Sequence, residues 1–221
     1  MRISAPRSAT RPPRPYASQR FINLLAQMSL AAALFVPLGA VTYAINAGTR
    51  AGGDVVVEVD VRDWVALDAA LAAGPWPGAR VDGAGEGRTE LRAWDSTLAE
   101  QLLSRAGVAL LGVCVGLGAL LLARMLRSVA AGEPFHAANA GRAATIAGLV
   151  MAGGLASTWL PVVAADAVPR RVELAAGPYS PVDAPAVQFS LPHLLAAALL
   201  LVLAEVFRRG HADARDLDGL V

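Results

Sequence analysis

The chain has 221 residues, 55% of them hydrophobic and 17% charged, with a formal net charge of +1. A soluble domain carries about 25% charged residues; here the shortfall is gathered into four long apolar blocks, which excludes an evenly polar globule and predicts a multi-pass membrane protein. A charge so close to zero gives no support to direct nucleic-acid binding, and the single cysteine, Cys114, has no partner for an intramolecular disulfide.

Residues 1–20 carry Arg2, Arg7, Arg11, Arg14 and Arg20 without one acid, and Pro6, Pro12, Pro13 and Pro15 oppose a helix. They are predicted to be a disordered basic cytoplasmic tail, a topology signal drawn to anionic lipid. Every basic residue of the chain is arginine, and alanine and glycine abound, a composition that points to a GC-rich bacterial genome. The first apolar block predicts a membrane helix over 22–46, because about 20 helical residues cross a bilayer and a signal h-region is only about 7–15. Pro37 lies inside it and deprives the Ala33 carbonyl of its helical donor, which implies a kink or a gating hinge.

Residues 48–97 hold nine acids, from Asp54 to Asp95, and read as a loop outside the membrane. In 54–61 the valines 55, 57, 59 and 61 alternate with Asp54, Glu58 and Asp60, the pattern of a half-buried strand. Thr89–Trp94 is a weaker second strand, Asp63 opens a short helix, and GPWPG (74–78) and DGAGEG (82–87) are turns. The acids have neither histidine nor calcium-loop spacing beside them, so they read as a solvated strand face and not as a metal site. Trp64, Trp76 and Trp94 suit packing or membrane-interface anchoring.

The second membrane helix is predicted over 98–128 and the third over 142–165. Gly112 and Gly116 form a small-xxx-small pair in the former; Ala144, Gly148, Ala152 and Ala156 form a stripe in the latter. Small residues let helix backbones approach closely in lipid, so the two helices are expected to pack through Gly112, Gly116, Gly148 and Ala152. Between them GEPFHAANAGR (132–142) is a polar hinge, in which Gly132 is a left-handed cap and Pro134 stops the helix. Past Pro161 the chain is expected to leave the membrane, with 166–188 a second outer loop and Arg171–Leu174 a strand able to join the first loop's sheet. The fourth helix is predicted over 189–208. His193 lies near its outer end and Glu205 near its inner end, with Arg208 and Arg209 at i+3 and i+4 to satisfy it. Residues 209–221 form a short polar tail.

Arginine excess falls on the N-terminal tail, the hinge and the C-terminal tail. With four helices these share one side, so both termini are expected in the cytoplasm and the molecule in the bacterial plasma membrane. The fold class is thus mainly α and integral to the membrane, with a small extracytoplasmic β-containing subdomain.

The order Gly132, Pro134, Phe135, Asn139, Arg142, Ile146 leading into the third helix, and the ending with Glu205, Phe207, Arg208, Gly210 and a final GLV, resembles domain of unknown function 2975, a family of bacterial four-helix membrane proteins. That family often has a hydroxyl residue where this chain has His136. Its members are often encoded beside a small helix-turn-helix regulator, so the resemblance implies a signalling or regulator-anchoring role.

Three functions follow as expectations. One is a non-enzymatic protein that binds a cytoplasmic regulatory partner through the hinge and tail, with Phe135, Asn139 and Arg142 as candidate contacts. Asn139 and Arg142 serve equally well as structural residues, bonding the turn and lipid phosphates. The second is a subunit of a small transporter or channel using Pro37, His193 and Glu205. The third, an enzyme, finds no catalytic or metal-ligand constellation and no cofactor motif. The lipid bilayer is the one partner the composition itself implies.

Overall fold

The computed structural model describes residues 18–48, 53–73, 79–82, 87–172, 180–187 and 190–218. Nine elements follow one another: α1 (Gln19–Gly48), β1 (Val55–Val61), α2 (Trp64–Ala73), β2 (Ala79–Asp82), β3 (Arg88–Ala93), α3 (Leu98–Ala130), α4 (Ala137–Arg171), β4 (Val182–Asp183) and α5 (Leu191–Asp218). The molecule is mainly helical, and α1, α3, α4 and α5 are each long and apolar enough to cross a membrane. They pack in the order α1–α3–α4–α5, each against the next in sequence. Large apolar residues such as Leu34, Phe35, Leu199 and Val202 lie exposed along them, as a surface facing lipid requires.

The alternating valines do form a strand. Val55, Val57 and Val59 are buried while Val56 and Glu58 face out. Asp63 starts α2 by accepting hydrogen bonds from the Val65 and Ala66 N–H groups at 2.9 and 3.0 Å. The sheet has the order β2–β3–β1–β4, all antiparallel, with Glu58 opposite Glu90 and Asp60 opposite Arg88. The predicted second strand is β3. The short strand β2 was not foreseen, since four residues between two turn clusters carry too little pattern.

The sheet does join the two loops, but through other residues than expected. Val182–Asp183, not Arg171–Leu174, pairs with β1. Arg171 ends α4 and Val172 caps it, while 173 and 174 lie outside the described residues. The third membrane helix is correspondingly longer than 142–165: it starts at Ala137 and continues through Pro161 and Pro169. A helical proline deletes one backbone hydrogen bond; here the continuation buries Ala164, Ala165 and Val168 against Val55, Val57, Val59, Leu67 and Leu91. That burial favours the helix over the predicted exit. At the other end of the chain, α5 runs on to Asp218, so most of the predicted tail at 209–221 is helical. The helical stretch 209–218 contains no proline, and Gly210 is its one glycine.

The small-residue seams also differ from the expectation. A side chain at Gly112 would run into Ala40 of α1, and one at Gly116 would meet Pro37 Cγ and Cδ at 2.7 Å and the Ala33 carbonyl at 3.2 Å. The Gly112/Gly116 pair therefore seats α1 on α3, and Gly116 lies beneath the proline kink and the carbonyl that the kink frees. Gly148 has open space around it and Ala152 is exposed. Contact between α3 and α4 uses Gly107 against Ala156 and Ser157, and Gly153 against Cys114 and Leu111. Ala143, Ala147 and Gly154 are buried on α4, one or two positions from the predicted stripe.

Candidate functional site at the hinge

Chemistry-bearing residues gather where α3 turns into α4. Helix α3 ends with Gly132 at φ +86°, a backbone conformation that glycine adopts without a Cβ clash. Gly132 N–H donates to Val129 O at 3.0 Å and Glu133 N–H to Ser128 O at 2.9 Å, the paired 5→2 and 6→1 bonds of a glycine C-cap. Helix α4 then starts under His136, whose Nδ1 accepts from the Ala138 N–H at 3.2 Å. The imidazole thus serves as the cap of α4.

Asn139 is completely buried in the first turns of α4. Its Nδ2 donates to Ser128 Oγ at 2.7 Å and to Pro134 O at 3.0 Å. Its Oδ1 accepts from Arg142 Nη1 at 2.9 Å, and the same nitrogen reaches Arg124 O at 3.3 Å. One amide thus ties the last turn of α3, the hinge backbone and α4 together. The expectation that Asn139 is presented to a partner is corrected: its polar atoms are spent inside the hinge. Arg142 is drawn into the same network, so the structural alternative for both residues describes their geometry.

Phe135 is different. It is 42% exposed, and its ring packs edge-on against Phe207 with centroids 6.4 Å apart. The flank of the ring lies on Gly210, where any side chain would overlap it. Its carbonyl accepts from His211 Nδ1 at 2.9 Å, which fixes the proton on that nitrogen. Beneath it Met125, Ala143 and Ala204 close a small apolar core with Ile146 and Phe207. Helix α5 extends over this hinge and leaves an open groove of about 610 Å³, bounded by Glu133, Phe135 and His136 on one side and His211, Ala214 and Arg215 on the other. Gln19, at the start of α1, donates to Ala130 O, so the N-terminal end of the bundle meets the same region.

The candidate membrane residues are not brought together. Glu205 accepts from Arg208 Nε and Nη2 and from Arg209 Nε, each at 2.7 Å, as its spacing suggested. His193 sits 12 positions earlier on the same helix, about 18 Å away along its axis. Its Nδ1 lies 2.6 Å from Ser190 Oγ and its ring covers Gly154. Sequence reasoning missed Ser128 and His211 at the hinge, and named Gly210 only as part of the C-terminal motif, not as the seat of the Phe135 ring. It also missed the ion pair of Arg171 Nε with Glu100 Oε1 at 2.8 Å, which fastens α4 to the start of α3 below the sheet. Thr97 and Glu100 there form a reciprocal cap, a Thr-x-x-Glu signature that is readable in sequence. Among the described residues, no group of three or more His, Cys, Asp or Glu side chains is placed to hold a metal.

No family model matches the chain, and no curated protein and no solved structure does either.

Proposed function

We propose that this multi-pass membrane protein acts without enzymatic chemistry, by binding a cytoplasmic regulatory protein in the groove between its hinge and the end of α5. The observation that carries this reading is the continuation of α5 beyond its apolar stretch, over the exposed ring of Phe135. A helix extension that only closed a membrane span would have no reason to reserve a glycine for that ring. The capped and stapled hinge is rigid, so binding there orders little new chain. The contact residues in this reading are Phe135, His136, His211, Ala214 and Arg215, with Asn139 and Arg142 holding the platform.

Membership in domain of unknown function 2975 is part of the proposal. Its support is that the two short motifs carrying the resemblance touch each other: Phe135 of the first rests on Phe207 and Gly210 of the second. Placement in the bacterial plasma membrane with both termini inside rests on the arginine excess of the N-terminal segment, the hinge and the C-terminal tail, and on the start of α1 and the last turns of α5 meeting at the hinge. The transporter reading has less behind it, because Glu205 is claimed by two arginines and lies far from His193.

The test is site-specific photocrosslinking in native membranes. A crosslinker at position 214 is expected to capture one cytoplasmic protein, and one at Thr145, exposed on the far face of α4, is not. Arg215→Glu, a change at an exposed site, is expected to abolish the adduct while leaving membrane abundance intact. An adduct that survives Arg215→Glu, or forms equally from position 145, sinks the proposal.

A further inference from the structure

At the opposite end of the bundle a second cavity, of about 370 Å³, opens between β1 and the paired helices α3 and α4. Ligand pockets run from roughly 300 to 1,000 Å³, so this cleft suits a small molecule. The chemistry of its lining is uneven. Ser104, Ser157 and Thr158 each donate their one hydroxyl proton to their own helix: to Gln101 O at 3.0 Å, and to Gly154 O at 2.9 and 2.6 Å. Their oxygens are left as acceptors. Pro161 has no N–H to give the Ser157 carbonyl one turn before it, so that oxygen lacks its helical donor as well.

The strand side supplies charge. Glu58 borders the cleft, and its carboxylate makes no hydrogen bond or ion pair among the described residues. It also stands directly opposite Glu90, a like-charge pairing that costs stability and that no ion pair of Glu58 offsets among the described residues. Arg88, diagonal to Glu58 across the β1–β3 ladder, spends Nε on Asp60 at 3.2 Å, and its two terminal nitrogens have no partner among the described residues. The cleft thus holds a surplus of acceptors around one carboxylate, with a guanidinium beside them, against an apolar wall of Val162 and Pro185.

We propose that this cleft binds a small zwitterion in which a primary ammonium and an anionic oxyanion lie a few bonds apart, with phosphoethanolamine as the simplest example. Its ammonium sits among Glu58, the hydroxyl oxygens and the Ser157 carbonyl, where each N–H finds an acceptor. Its oxyanion takes the terminal nitrogens of Arg88, whose planar fork suits a phosphate or carboxylate. The source is either a free solute or the headgroup of a phosphatidylethanolamine lipid, since both carry the same charges.

The experiment uses the full chain in phosphatidylcholine nanodiscs, titrated calorimetrically with O-phosphoethanolamine, phosphocholine and inorganic phosphate. Saturable binding of phosphoethanolamine is expected. Phosphocholine, which has no N–H, is expected to bind about tenfold more weakly or worse, as is Glu58→Gln protein with phosphoethanolamine, each losing charge-assisted hydrogen bonds. The Glu58→Gln thermal midpoint without ligand is not expected to fall, because the change removes the repulsion from Glu90. A second arm replaces part of the lipid by phosphatidylethanolamine. If the headgroup is the source, native mass spectrometry retains that lipid on the parent and not on Glu58→Gln, and the free compound no longer titrates; if the solute is the source, the titration is unchanged. The proposal is overturned by equal binding of phosphocholine, by equal binding of inorganic phosphate, by Glu58→Gln binding as the parent does, or by no saturable binding in either arm. The measurement needs only purified protein, so it stands apart from the hinge-groove reading.

Discussion

Single residues at the hinge carry distinct physical burdens. Asn139 is buried and satisfies Ser128, Pro134 and Arg142 at once. Asn139→Ala strands those groups, and the expected loss is about 1–3 kcal/mol, read as a lowered unfolding midpoint in detergent. Phe135 and Gly210 form a complementary pair, so Gly210→Val is expected to expel the ring and Phe135→Ala to restore much of the stability that change removes; a double-mutant cycle with no coupling would refute the contact. In the bundle, Gly116→Leu overpacks against Pro37 at a cost of about 1–3 kcal/mol. Gly148→Ala is expected to be neutral or to stabilise by up to about 1 kcal/mol, because the site is open and alanine is the better helix former. Equal behaviour of these two variants in thermal melts would reverse the assignment of the seams.

At the scale of elements, sequence pattern and structure agree where one physical signal dominates. Period-two alternation of valines is enough for β1, and Gly132 with Pro134 announces the end of α3. Legibility fails where two signals compete. Pro161 argues for a helix end, but the apolar surface of Ala164, Ala165 and Val168 has a sheet to bury against, and that partner is invisible in a linear reading. Small residues every fourth position likewise define a face without saying what it meets; Gly112 and Gly116 meet α1 because Pro37 shapes a complementary surface there. The hinge was legible as a place, and Phe135 as exposed, but the inward turn of Asn139 was not, since an asparagine in a polar loop reads the same whether it faces solvent or the turn. The Glu100–Arg171 pair makes a prediction for α4's far end. Glu100 is nearly buried and Arg171 partly so; Glu100→Gln is expected to speed limited proteolysis near Arg171, and unchanged cleavage would argue against that fastening.

For the whole molecule, the sheet draws strands from both long loops at one end while the hinge, the start of α1 and the last turns of α5 meet at the other. Cysteine labelling in intact cells checks how this axis lies in the membrane. In a Cys114→Ala background, position 90 is expected to react with an impermeant maleimide and position 137 to stay protected; the converse pattern inverts the orientation. The length of α4 has a mechanical consequence. Its 35 residues make a rod of about 52 Å, well beyond a hydrocarbon core of about 30 Å. One continuous helix therefore has the sheet mounted on one end and the Asn139 staple clamped to the other. Like a driveshaft, such a rod transmits rotation without having to change length; Pro161 and Pro169 each remove one backbone hydrogen bond, and Pro161 is the one that lies between the stretch packed on the sheet and the hinge. A turn of the sheet above that joint is absorbed there, whereas a turn imposed below it reaches the hinge undiminished.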